Sequence, residues 1–318
     1  MKKIITGVLL SISILFALQN VTPTKEIDVD GVVKDMVLRG NNLIIGTDSG
    51  KLEVYDYKQQ KFIYSISIPN IKDFMGDIIP ARVASVDYID GKYLLLSDSG
   101  IGGYANLRIH QNGKTVDIIT HKDKMPIIKA RFIDKDHILL GYLSNEVSLF
   151  DINTKKEIYK KQLSQSKFSD FALNSSRTLA AFSCESGEIT VIDPKDGKII
   201  RRFSDMNVDN VYKVDIKNGY VSGAGQDRRG SWYEIKSGKG GYFQGKFLIY
   251  ATALSPNASK VAYAMDIQNN ITVYDMLTKS KVAILKGQKS TLNVIIFKDE
   301  HTLFSASDDN TIMQWHIN

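Results

Sequence analysis

Six side chains could bind a soft metal or be primed for nucleophilic work: Cys184 and the histidines His110, His121, His137, His301 and His316. A disulfide, a zinc site built on thiolates and a Cys-x-x-Cys-His haem attachment each need more than one cysteine, so a single chain can form none of them. No two histidines stand at i, i+2 or i, i+4. His110 and His316 occupy a slot that other segments fill with Asp56, Asp151, Asp193 or Asp275. That slot ends a strand, so both histidines are expected at surface turns. Cys184 sits in the apolar segment LAAFSCES and is expected to be a buried, inert thiol. The stretches SGIGG (99–103) and GKGG (238–241) would cradle phosphate only at the head of a helix; neither leads into one, and both read as strand turns. Asn174 and Asn257 head Asn-Ser-Ser and Asn-Ala-Ser, where turn chemistry accounts for them. The sequence offers no nucleophile with a base beside it.

A repeat positions these residues. Phe150, Ile192, Tyr233, Tyr274 and Trp315 follow one another at intervals of 42, 41, 41 and 41, in the phrases VSLFDI, ITVIDP, SWYEIK, ITVYDM and MQWHIN. LEVYDY and LRIHQN add Tyr55 and Ile109, with 54 residues between those two and 41 from Ile109 to Phe150. Short strands bounded by Asp, Asn and Gly, repeating at this period, predict an all-β fold, a β-propeller. Units beginning near Val33, Val83, Ile128, Phe168, Val211, Tyr250 and Leu292 make seven blades. Six have a fourth strand after the aromatic phrase, as in KIIRRFS (198–204) and KVAILKG (281–287); the last stops at Asn318 after its third. A spare strand at about 25–29 is expected to complete the blade formed by 290–318. An open ring would otherwise leave unpaired edges and a bare apolar flank.

The segment SASDDNTIMQW (305–315) resembles the strand–turn–strand phrase of WD40 repeats. The resemblance implies that Asp309 is the turn aspartate, linked through hydrogen bonds to Trp315. It puts Gln288, after Gly287, where the family has the histidine of a Gly-His pair. Asp227 keeps the turn aspartate six residues before Tyr233; other units have Ser49, Gly103, Ser144, Ser186 and Gln268 there. The chain is thus similar to a degenerate WD40-like propeller, a fold that serves many functions.

The departures from the repeat are more informative about function. Tyr55 to Val83 takes 28 residues against 17 to 19 elsewhere, and the surplus falls in PNIKDFMGDIIPAR (69–82). In a WD40-like propeller this connection shares a face with the turns between second and third strands. The neighbouring turn of that kind, SDSGIGGYAN (97–106), is also long. Phe74, Met75, Ile78 and Ile79 in the insertion form either a binding surface or a lid on its own blade. Across the ring on that face, Arg228 and Arg229 beside Asp227 are either a basic contact or a solvated turn.

Residues 1–18, MKKIITGVLLSISILFAL, place two lysines before an apolar run of about 15 residues, too short to span a bilayer comfortably and fitting a signal peptide cut near Ala17. No cysteine follows for lipid attachment. With the leader removed, residues 19–318 are a periplasmic propeller without a membrane span; the alternative is a leader kept as a membrane anchor. The net charge of +6 falls to +4 without Lys2 and Lys3, and the lysines are scattered, which argues against nucleic acid as a partner. At whole-chain level, the Lys-Lys leader, the seven degenerate repeats and the terminal SASDDNTIMQW resemble the NapL family of accessory proteins encoded with periplasmic nitrate reductase. The leader, the propeller, the lack of catalytic groups and the one elaborated face point to a monomeric, non-catalytic interaction scaffold without a cofactor, and the resemblance implies one that assists a nitrate-reducing complex without itself reducing nitrate. Its partners would be nitrate reductase subunits, assisted by docking or maturation. The alternative is a propeller enzyme or cofactor-binding protein, a lactonase-like hydrolase or a quinone- or haem-dependent protein. Its ligands would converge on the central channel from separate blades. A third reading is an outer-membrane assembly scaffold.

Overall fold

The computed structural model describes residues 18–318. The first 17 residues, and with them nearly all of the expected signal peptide, lie outside the described part. Seven small antiparallel sheets form a ring, a seven-bladed β-propeller. Their innermost strands are Val33–Arg39, Val83–Ile89, Ile127–Phe132, Phe168–Leu173, Val211–Lys217, Thr252–Leu254 and Leu292–Phe297. We number the blades in that order. The chain steps outward through three further strands in each of the first six blades before crossing to the next. Middle strands are sandwiched between neighbouring blades, so Ala180–Cys184 and Thr302–Ser307 are buried throughout. Outer strands such as Lys156–Gln162 face water and carry lysines.

The repeated aromatic-Asp phrase has a plain physical cause. Its aromatic or aliphatic residue is buried between blades, as at Tyr55, Phe150, Ile192, Tyr233, Tyr274 and Trp315. The aspartate that follows caps the turn into the fourth strand. Asp56 accepts the main-chain N–H groups of Lys58 and Gln59, Asp151 those of Asn153 and Thr154, and Asp275 those of Leu277 and Thr278. These are Asx turns, in which a short carboxylate satisfies N–H groups that the strand ladder leaves behind.

The core consists of seven apolar clusters, one at each interface between adjacent blades. The ring closes as the sequence predicts. Lys25–Asp28 pairs antiparallel with Thr311–His316, setting Ile27 opposite Ile312 and completing blade seven. Ile27 and Val29 then join Val33, Phe304 and Ile312 in the cluster between blades seven and one. An additional strand, Gln19–Val21, runs parallel to Lys281–Leu285 and makes blade six five-stranded. Among the described residues no helix is long and apolar enough to cross a membrane.

Candidate functional site

The 69–82 insertion is a small hairpin. Ile71–Lys72 pairs antiparallel with Ile78–Ile79, and Asp73 locks the turn between them. Its Oδ1 accepts the N–H groups of Met75 and Asp77, each at 2.9 Å, while its own N–H donates to the Asp77 carbonyl. The base of the hairpin is anchored: Ile71 packs on the cluster between blades one and two, and Ala81 is fully buried in that cluster. The tip is not. Phe74 is 91% exposed, Met75 72%, Ile78 71% and Ile79 38%.

The hairpin leans on the long turn of blade two, so that the two departures from the repeat form one unit. Arg82 grips Asp98 through Nε and Nη2 at 3.0 and 3.1 Å, and the Asp98 N–H donates to the Arg82 carbonyl. Gly100 lies under Lys72 with φ +74°; a Cβ there would stand 2.0 Å from the Lys72 carbonyl oxygen, so the approach requires glycine. Phe74 and Ile79, with Ile101 and Tyr104 of that turn, line a cavity of about 790 Å³ at the mouth of the central channel.

Other apolar side chains are exposed in connections on this same face: Ile101, Leu143, Val208, Phe247 and Ile267. Leu143, Val208, Phe247 and Ile267 lie in connections of ordinary length, and no sequence signal distinguishes them from incidental exposed residues. The turns of the opposite face expose Leu277 alone among the large apolar side chains described there.

The basic pair lies in the blade-five turn and does not line the mouth cavity. Arg229 is committed to its own blade. Its Nη1 donates to the Met206 carbonyl at 2.9 Å, and its guanidinium lies 4.6 Å from the Tyr242 ring centre. Arg228 is exposed, with φ +65°.

The residues singled out by the WD40 resemblance meet in a buried chain of hydrogen bonds. Trp315 Nε1 donates to Ser305 Oγ at 2.8 Å, Ser305 Oγ to Gln288 Oε1 at 2.7 Å, and Gln288 Nε2 to Ser307 Oγ at 2.7 Å. Ser307 Oγ donates in turn to Asp309 Oδ2 at 2.9 Å, and Asp309 Oδ1 accepts the Thr311 N–H. Gln288 thus links the tryptophan's serine to the aspartate's serine. In blade five, Asp227 accepts from Asn207 Nδ2 at 3.1 Å and from the N–H groups of Val208 and Arg229. Asn207 stands four residues before the inner strand, as Gln288 does in blade seven. That shared offset is the signal by which the sequence could have revealed it.

The expectation for His110 is corrected. It is buried rather than at a surface turn, because Tyr64 of the neighbouring outer strand covers it: Nε2 lies 2.7 Å from Tyr64 Oη and Nδ1 2.7 Å from Thr115 Oγ1. His316 is exposed, and Cys184 is buried. Among the described residues no group of three His, Cys, Asp or Glu side chains is arranged to hold a metal ion.

The channel itself is strongly polar on one side. Four inner-strand carboxylates bind the next blade through its main-chain N–H: Asp35 to Val86, Asp87 to Phe132, Asp170 to Val214 and Asp215 to Leu254. Arg131 chelates Asp35 with Nη1 and Nη2, each at 2.8 Å. Burial pushes the Asp35 carboxyl up, but Arg131, Lys129 and the Val86 N–H outweigh it and hold the group below the usual aspartate range. Burial holds Lys129 below the ordinary lysine range although Asp170 opposes the shift. A second cavity of about 470 Å³ continues inward from the mouth. The two meet at a waist formed by Asp35, Lys129, Asp170, Lys213 and Asn293.

No protein-family model matches the chain, and no curated protein matches it.

Proposed function

We propose that the protein is an exported, non-catalytic interaction scaffold that docks a protein partner on the face bearing the 71–79 hairpin. The observation that carries this reading is the exposure of Phe74, Met75 and Ile78 on a turn that Asp73 holds rigid. Apolar side chains kept in water on an ordered support lose little conformational freedom when a partner covers them, which favours binding. A lid on its own blade would bury these side chains. Leu143, Val208 and Ile267 extend the apolar character around the same face.

The leader sequence supports a periplasmic location. The whole-chain resemblance to NapL supports a subunit of periplasmic nitrate reductase as the partner, with docking or maturation as the role and no nitrate reduction by this chain. The test is mild cross-linking and affinity purification from periplasm, using the full chain and a variant lacking residues 70–80. Reductase subunits recovered with the full chain and lost from the variant uphold the reading. Equal recovery from both overturns the docking site, and recovery from neither overturns the partner.

A further inference from the structure

The charges of the inner channel do not cancel. Three arginines and four lysines line the 470 Å³ cavity against three aspartates, Asp35, Asp170 and Asp215. Two more carboxylates stand behind the lining: Asp87, bonded to both Arg39 and Arg177, and Asp299, beside Lys298. Counting them still leaves seven cations to five anions, a surplus of two.

The surplus has two locations. At the waist, Asp170 is shared: Lys129 Nζ is 2.6 Å from Oδ1, while Lys213 Nζ is 4.0 Å away, beyond hydrogen-bond reach. At the far mouth, Arg39 and Arg177 contact Asp87 at 2.7 and 3.2 Å, and that carboxylate already accepts the N–H groups of Tyr88 and Phe132. Burial holds Arg177 below its ordinary range despite Asp87, and neighbouring Arg39 presses the same way. The other side of the channel is a wall of Ala251, Val294 and Ile296, which brings no compensating charge. Cations crowded into a partly enclosed space with too few carboxylates attract counter-charge strongly, because little water screens them.

We propose that the channel binds one small divalent anion, a hydrogen phosphate or a short dicarboxylate, with Lys213 and Arg177 supplying the uncompensated charge. The apolar wall suits the hydrocarbon of a dicarboxylate. Monovalent anions neutralise only half of the surplus and bind less well. Lys213 stands at the waist, inward of the hairpin tip, and anion binding is read without a partner, so loss of partner docking and loss of anion binding are distinguishable.

The test is isothermal titration of the purified full chain with potassium phosphate, sodium succinate and sodium acetate, at constant ionic strength and slightly alkaline pH. We expect one phosphate or succinate per chain, bound at least about tenfold more tightly than acetate. Lys213→Met and Arg177→Gln should each weaken binding about tenfold. Lys213→Met carries the test alone if Arg177→Gln disturbs folding, because among the described residues Lys213 meets a carboxylate only at the long 4.0 Å distance. Binding of phosphate alone identifies a phosphate-type ligand, and of succinate alone a dicarboxylate; binding of both shows selection by charge, and each result upholds the proposal. It is overturned if neither probe saturates, if acetate binds as tightly, or if Lys213→Met retains the affinity of the unsubstituted protein.

Discussion

Replacing Ile27 by alanine should destabilise the whole ring, although the residue lies on a four-residue strand near the start of the described chain. Ile27 is 3% exposed and packs in the cluster that joins blade seven to blade one. Truncating a buried isoleucine removes its transfer free energy and leaves a cavity, a loss of about 2–5 kcal/mol. For a domain of this size each kcal/mol lowers the melting temperature by roughly 2 °C, so the expected shift is about 4–10 °C. Glu26→Ala is the control. Glu26 points to water and meets Lys289 at 3.0 Å, an exposed ion pair that water and salt screen and that contributes little. Deleting residues 24–30 should exceed both effects. It also removes Val29 and the main-chain bonds from Thr24 to Gln314 and from Val29 to Asn310. Circular dichroism melts of the three variants supply the comparison. If Ile27→Ala melts with Glu26→Ala, closure by this strand does not hold the ring together.

Three further perturbations test other parts of the account. Gln288→Leu cuts the buried link between Ser305 and Ser307, leaving both hydroxyls short of a partner; it should cost about 2–4 kcal/mol in urea unfolding, whereas an unchanged midpoint would show the link to be dispensable. The Asp35 carboxyl is depressed in the folded state, so the stability it contributes is complete above its ordinary value of 3.8 and is lost as pH falls below that. Asp35→Asn should therefore lower the urea midpoint at neutral pH and flatten its fall in acid; parallel acid limbs would contradict this assignment. Gly100→Ala drives a methyl group into the Lys72 carbonyl and should displace the hairpin, reducing partner capture more than it reduces the melting temperature.

The parts of the molecule that a single residue's local chemistry dictates were legible in the sequence. Asp56, Asp151 and Asp275 must follow a buried aromatic because the next turn needs an acceptor, and so the repeat can be counted. The closing strand was legible because blade seven lacks a fourth strand of its own. The insertion was legible as a break in the spacing that retains Phe74, Met75, Ile78 and Ile79. Features made by residues far apart in sequence were not. Arg131 and Asp35 are 96 residues apart, and nothing local marks either as the other's partner. His110 looked like a turn residue because Tyr64, 46 residues away, is what covers it. Gln19–Val21 gave no signal, since three residues show no alternation and pair only with an edge that blade six provides.

The docking role is tested most directly by binding between purified components. The protein would be titrated against immobilised periplasmic nitrate reductase, beside a Phe74→Ser, Ile78→Ser double variant. Both side chains are exposed, so the variant should melt within about 2 °C of the unsubstituted protein. The account predicts saturable binding that the double substitution weakens about thirtyfold or more, as expected when two anchoring apolar side chains are lost. Binding of equal strength by both proteins, or by neither, would contradict it.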